Sequence, residues 1–168
     1  MPSVLLLTEP FARRILGIHG IQLVEVRIME PSLYDRLGGL DAITAVVGSF
    51  RDRVAADDRI NLKFARTDLG RLTKMLIDQV CEATGGPCQY TGRSMKEAHA
   101  SMRVTTGEFN ALVEDLVATL NHFKVGKAEQ DELLAILGPL KSEIVEVDSN
   151  EVGTPLPDAF QAAPAMRI

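Results

Sequence analysis

The residue with the most distinctive chemistry in this 168-residue chain is His99, at the end of the sequence Met95-Lys96-Glu97-Ala98-His99. A neutral imidazole is the commonest protein ligand of a transition metal and the usual axial ligand of a haem iron. A single histidine is nevertheless more often a surface or core residue than a ligand, so its type alone assigns no function. The interpretation of His99 depends on the elements around it.

Two cysteines, Cys81 and Cys88, are a second possible source of chemistry, because the Gly85-Gly86 turn between them could bring their thiols together. We expect two reduced thiols, the usual state in a cytosolic protein, and keep a disulfide as the alternative. The spacing is not that of a Cys-x-x-Cys motif and the sequence offers no further ligands, so a zinc site is not indicated.

The composition is that of an ordinary globular domain, with 46% hydrophobic residues, 24% charged residues and a formal net charge of -5. This acidic balance argues against nucleic acid and anionic membranes as partners. No apolar run reaches the length of a membrane span. The run at 4–7 is followed at once by Thr8, Glu9 and Pro10, and is too short for a signal-peptide core. We therefore expect a cytoplasmic protein.

Apolar residues recur at helical spacing almost throughout the middle of the chain, which predicts an all-α domain. Helices are predicted to begin near Asp41, Asp68 and Thr105, each of which can cap a first turn. Gly85-Gly86-Pro87 ends the second of these helices. His99 is then expected on a short helix between the second and the third.

The two ends of the chain are predicted to differ from this helical domain. Residues 1–28 have no clean period, and we interpret them as an N-terminal extension, either mobile or the product of an over-called start. Residues 29–147 form the predicted domain. Residues 148–168 are rich in glycine and proline, which predicts a flexible C-terminal tail.

Several short motifs, taken in order, resemble those of the group 1 truncated haemoglobins, the shortened globins with a two-over-two helical sandwich. The matching segments are Ser32-Leu33-Tyr34-Asp35-Arg36-Leu37-Gly38-Gly39, Gly85-Gly86-Pro87, Tyr90-Thr91-Gly92 and Met95-Lys96-x-x-His99. The resemblance spans roughly Ser32 to Val147. It implies haem as the cofactor, His99 as the proximal ligand of its iron, and Phe64 as the aromatic residue packed against the haem plane.

The haem slot is expected to be formed by apolar side chains on two helix faces and in the segments between them, with Arg93 near the propionates. The predicted cofactor-binding residues are Phe50, Phe64, Leu72, Met75, Leu76, Arg93, Met95, Val104 and Phe109. The apolar ones can equally be ordinary core residues, because a bound haem becomes part of the core. Some family members attach haem covalently through a late histidine, and the last predicted helix has none, so we expect non-covalent haem b.

The distal side departs from the family pattern. Arg51 stands where many members have a tyrosine, and Leu72 and Leu76 stand where polar residues are frequent. The helical pattern leaves open whether Arg51 faces the pocket, and Gln79 is the other polar candidate on the ligand side. Met75 is either packing or a sixth iron ligand. With few donors beside the ligand, we expect weak stabilisation of bound dioxygen.

These observations predict a protein that reversibly binds oxygen or another diatomic gas, as a carrier or sensor rather than an enzyme. The alternative is nitric-oxide detoxification or electron transfer with a separate reductase, because the chain has no flavin or nicotinamide motif of its own. A haem-free helical interaction domain is a third interpretation. A monomer or weak dimer is expected.

Overall fold

The structure is a computed structural model that describes residues 30–161, so the extension predicted for residues 1–28 lies outside the described residues, as do residues 162–168. The helices between residues 30 and 161 are α1 (Leu33–Arg36), α2 (Gly39–Ala56), α3 (Leu69–Ala83), α4 (Met95–His99), α5 (Thr106–His122), α6 (Lys127–Leu137) and α7 (Lys141–Ile144), with 3-10 turns at Asn61–Phe64 and Gly138–Leu140. This range contains no strand, only an isolated bridge between Thr105 and Val147. The predicted all-α class is confirmed. None of the described helices is long and apolar enough to cross a membrane.

Local capping chemistry sets the helix boundaries. The Thr105 hydroxyl accepts a hydrogen bond from the Glu108 amide (3.0 Å), and the Glu108 carboxylate accepts one from the Thr105 amide (3.0 Å), so α5 begins where predicted. Helix α2 begins at Gly39, ahead of the start predicted near Asp41. Gly38, in a left-handed conformation with φ 95°, separates it from α1, and glycine adopts this conformation at little cost.

Helix α2 lies at the centre of the helix packing and contacts both α3 and α5. Toward α5, a buried cluster is formed by Phe50, Val54, Ile60 and Ala111, with Phe64 and Leu76 packed against it. Toward α3, a second cluster is formed by Ile43, Val47 and Cys81. These two interfaces build the helical sandwich that positions the candidate site.

The described part of the segment that follows Val147, residues 148–161, bonds and packs against the domain, and the flexibility predicted for residues 148–168 stays a prediction. Its backbone accepts hydrogen bonds from the Gly107 amide at Ser149 O (2.9 Å) and from the Thr105 hydroxyl at Glu151 O (2.5 Å). Leu156 and Phe160 pack against a buried apolar cluster of the domain. Composition predicted a loose tail because glycine and proline disfavour helices, but an irregular segment can still satisfy its backbone groups by bonding to an element already in place.

The structure also corrects the expectation of two reduced thiols, because Cys81 and Cys88 form a disulfide with an S–S distance of 1.98 Å. Cys81 is fully buried at the end of α3. Gly86 makes the turn possible: a Cβ there would lie 2.5 Å from Tyr34 Cδ2 and 2.7 Å from Cys81 Sγ. The bridge therefore ties the end of α3 to the loop that leads into α4.

Reduction of this disulfide is expected to lower the free energy of unfolding by about 2.4 kcal/mol, the chain-entropy value for a loop this short. Urea denaturation with and without a thiol reductant measures the difference. The Cys81→Ala/Cys88→Ala variant is the control and should not respond to reductant. An unfolding free energy that reductant leaves unchanged in the unmodified protein would contradict the prediction.

Candidate functional site

His99 lies in the wall of a largely apolar cavity between α4, α5, α7 and the 3-10 turn at 61–64. The residues that line the cavity are Ile60, Lys63, Phe64, His99, Met102, Val104, Glu108, Phe109, Leu112 and Ile144. Most of them contribute aliphatic or aromatic surface. The cavity is thus a small, mainly apolar space with one imidazole in its wall.

Helix α4 carries His99 as its last residue, and its start is fixed by a capping box. The Ser94 hydroxyl accepts a hydrogen bond from the Glu97 amide (3.3 Å), and the Glu97 carboxylate accepts one from the Ser94 amide (3.1 Å). The hydrogen bond from the Ser94 hydroxyl to this carboxylate holds the pKa of Glu97 below its usual value. The helix has only five residues, so its position depends on such flanking bonds.

One hydrogen bond fixes the orientation of the His99 imidazole. Its Nδ1 lies 2.8 Å from the backbone oxygen of Met95, one helical turn earlier. A carbonyl oxygen can only accept, so Nδ1 is the donor in this bond, and in the neutral ring Nε2 is then the nitrogen with the lone pair. A metal-binding histidine typically donates its second N–H to a carbonyl or carboxylate in this way. His99 is therefore in the tautomer that an iron ligand requires.

The backbone segment between His99 and α5 is held by side chains from other parts of the domain. Ser101 and Arg103 have φ values of 66° and 53°, in the left-handed region that residues with a side chain rarely adopt. Their amides donate to the Glu146 carboxylate at 2.8 and 2.5 Å. Lys63 donates to the carbonyl of Met102 at 2.9 Å. Sequence reasoning missed both side chains, because neither a surface glutamate nor one lysine in a short turn gives a signal.

The structure brings some of the predicted haem-slot residues to the cavity. Phe64, Val104 and Phe109 line it together with His99. Met95 packs against the buried cluster that contains Val104 and Phe109. Phe50 is a core residue behind Phe64, and Leu76 packs on the same cluster.

The remaining predicted residues lie away from the cavity lining. Leu72 and Met75 are half-buried on α3, and neither is part of the lining that the described residues form. Arg93 is exposed, and its carbonyl accepts a hydrogen bond from the Tyr90 hydroxyl (2.8 Å), whose pKa is raised by burial. The expectation that Arg93 lies near the haem propionates stays a prediction.

The two polar candidates for the ligand side have partners elsewhere. The Arg51 guanidinium donates to Asp52 Oδ1 through Nε at 2.9 Å and Nη2 at 2.6 Å. It therefore takes the outward of the two orientations that the helical pattern leaves open. The Gln79 amide lies 3.6 Å from the Met95 sulfur, so it bridges α3 and α4. The structure places neither side chain in the cavity wall.

The donor set at this site fits a haem. A haem needs one unprotonated imidazole nitrogen on an axial side and an apolar surface against its ring. His99 Nε2 supplies the first, and Phe64, Val104 and Phe109 supply the second. The described helices α6 and α7 carry no histidine. Non-covalent haem b is the form that these residues fit.

Comparison with known proteins gives a consistent result. A profile of the bacterial-like globin family matches residues 32–146. The group 1 truncated hemoglobin GlbN of Mycolicibacterium paratuberculosis is 34% identical over 131 residues, covering 77% of this chain and 96% of that protein.

Solved structures show the same similarity in three dimensions. The Fe(III) form of the truncated hemoglobin from Tetrahymena pyriformis matches with a TM-score of 0.66 and 33% identity, covering 68% of this chain and 98% of its own. The 2/2 hemoglobin of Synechococcus sp. PCC 7002, solved in the cyanomet state with covalently attached heme, matches with a TM-score of 0.65, 33% identity and the same coverage.

Proposed function

Because the chain belongs to the bacterial-like globin family, among the haem-binding group 1 truncated haemoglobins, we propose that it reversibly binds dioxygen or another diatomic gas at an iron held by His99. The observation that carries this proposal is the hydrogen bond from His99 Nδ1 to the Met95 carbonyl, which leaves Nε2 as the ligand atom. Bound haem supplies an iron with a coordination position for a small ligand such as oxygen, nitric oxide or carbon monoxide.

The chain's own residues give that group its surroundings. The Met95 carbonyl accepts a hydrogen bond from the Nδ1–H group, which makes the imidazole a stronger electron-pair donor through Nε2. The side chains of Phe64, Val104 and Phe109 exclude water from the ring surface. Exclusion of water protects the iron from side reactions and strengthens the remaining electrostatic contacts.

The proposal includes weak polar stabilisation of the gas ligand. The engagement of Arg51 with Asp52 and of Gln79 with Met95 supports it, because both donors already have a hydrogen-bond partner. A ligand whose binding depends little on a hydrogen bond, such as carbon monoxide, is then favoured relative to dioxygen. This combination suits a carrier or sensor better than tight oxygen storage.

Electron transfer with a separate reductase is the second candidate, and the half-buried position of Met75 on α3 favours it. A thioether opposite His99 would give His/Met ligation, which raises the reduction potential. A cytoplasmic location and a monomeric or weakly dimeric state stay predictions.

The first test of the proposal is His99→Ala, which should lose haem or retain it only when imidazole is added. Haem content and the Soret spectrum of the purified protein measure this. His122→Ala is the matched control: His122 is exposed at the end of α5 and its ring contacts Phe123, so haem content should not change. A normal spectrum in the His99→Ala protein would overturn the assignment.

Fast dioxygen release is the second expected result, and it should not depend on Arg51 or Gln79. A donor that reached the ligand would contribute about 1–1.5 kcal/mol, so its loss would speed release roughly tenfold. Since both side chains are engaged elsewhere, Arg51→Ala and Gln79→Ala should leave the rate close to that of the unmodified protein. Stopped-flow measurement of oxygen dissociation decides the point, and a tenfold acceleration in either variant would contradict it.

The two candidate functions differ in what they predict for Met75→Leu, a substitution that conserves volume and removes the sulfur. If the protein is a gas carrier, the visible spectrum of the ferrous protein should be five-coordinate before and after the change. A shift from a six- to a five-coordinate spectrum would replace the carrier proposal with electron transfer.

A further inference from the structure

A buried pair of charges lies in the wall of the cavity that contains His99. The side chains of Lys63 and Glu108 are only 4% and 1% exposed, and Nζ lies 3.5 Å from Oε2. Removing two charges from water is costly even when they are paired, so a buried ion pair by itself is weak evidence for a stabilising role. The proposed gas-binding function uses neither side chain. The hydrogen bonds of the two side chains show which parts of the backbone the pair holds in place.

Lys63 connects the 3-10 turn to the segment that follows His99. Its ammonium group donates to the carbonyl oxygens of Met102 at 2.9 Å and Arg103 at 3.3 Å. The Met102 amide in turn donates to the carbonyl of His99 at 3.0 Å. Lys63 is thus joined to the iron-ligand candidate through two successive hydrogen bonds along the backbone.

Glu108 fixes the lysine from the opposite side. One of its carboxylate oxygens accepts from the Thr105 amide (3.0 Å) and faces Lys63. The other accepts from the amide and the hydroxyl of Thr154, at 2.9 and 2.6 Å. A carboxylate held by three donors is immobile, so it holds the ammonium group of Lys63 in one place. Two of these donors come from the segment after Val147, beyond the range that matches the family.

The segment between His99 and α5 needs this support. Ser101 and Arg103 both have positive φ, and such conformations persist only when the surroundings impose them. The Glu146 carboxylate holds the amides of these two residues, and Lys63 holds the carbonyls on the other side. The backbone after His99 is clamped on both its donor and its acceptor sides.

We infer that Lys63 is a positioning residue for the proximal ligand, sets the height and tilt of the His99 imidazole against the haem, and acts through the clamped backbone together with Glu108 and Glu146. This inference rests on the proposed function, in which His99 binds the iron. A ligand held by a short, strained connection follows any movement of that connection, and small displacements of the ring alter its bond to a metal.

The test compares Lys63→Met with the unmodified full-length haem protein. Methionine keeps the apolar stem but removes the donors to the Met102 and Arg103 carbonyls. We expect the iron–histidine stretching band of the ferrous protein, measured by resonance Raman spectroscopy, to shift and broaden. Haem transfer to an excess of an apoglobin acceptor should become about tenfold faster, the lower end of the effect of removing outer support from a metal ligand. Lys127→Met is the matched control, because Lys127 is 79% exposed and pairs with Asp131 far from α4 in the sequence.

Glu146→Ala keeps the test decisive if Lys63→Met fails to fold. Glu146 is exposed, so its loss does not open the core, yet both loop amides lose their acceptor. In Glu146→Ala the iron–histidine band should shift in the same direction as in Lys63→Met. The control is Glu143→Ala, which removes an exposed carboxylate on α7 and should leave the band unchanged.

An unchanged iron–histidine band in both Lys63→Met and Glu146→Ala, the two clamp variants, would overturn the inference. This includes the case in which the two variants only lose stability. Failure of the proposed function has a different signature. If His99→Ala retained both its haem and the iron–histidine band, another residue would be the ligand. Loss of that band in His99→Ala with unchanged clamp variants would refute the positioning role alone.

Discussion

The hydrogen bond between His99 Nδ1 and the Met95 carbonyl is the interaction on which the rest of the site depends. It gives the ring a single tautomer and directs the lone pair of Nε2 away from its own helix. This geometry holds only if α4 stays formed, and five residues are too few for a helix to be stable by itself. The surrounding structure must therefore hold α4 at both ends.

The bonds at the two ends of α4 are different in kind. Before the helix, the Ser94–Glu97 capping box holds the first turn, and the Cys81–Cys88 bridge ties the preceding loop to α3. After it, the Glu146 carboxylate and the Lys63 ammonium hold the backbone through Met102 and its neighbours. A covalent bond, a cap and a pair of charged groups thus together replace the stability that a longer helix would have from its own hydrogen bonds.

The segment after Val147 belongs to the same arrangement. It supplies the Thr154 donors to Glu108 and a carbonyl of Pro155 that lies 3.5 Å from the Lys63 ammonium group. Leu156 and Phe160 cover the apolar cluster beside the cavity. The residues that follow Val147 therefore support the residues that line the site, and they lie beyond residues 32–146, which match the bacterial-like globin profile.

The sequence by itself determined the helical class, the capping box that starts α5, and His99 as the candidate ligand, because periodicity, caps and ordered motifs are local properties. Only the tertiary structure decided that Arg51 turns outward, that Gln79 meets Met95, and that Lys63 pairs with Glu108 across 45 positions of the chain. These outcomes depend on which distant groups lie within hydrogen-bonding distance. The sequence did not predict the Cys81–Cys88 disulfide or the bonds between residues 148–161 and the domain for the same reason. Composition gives the residue types but not which residues the fold brings into contact.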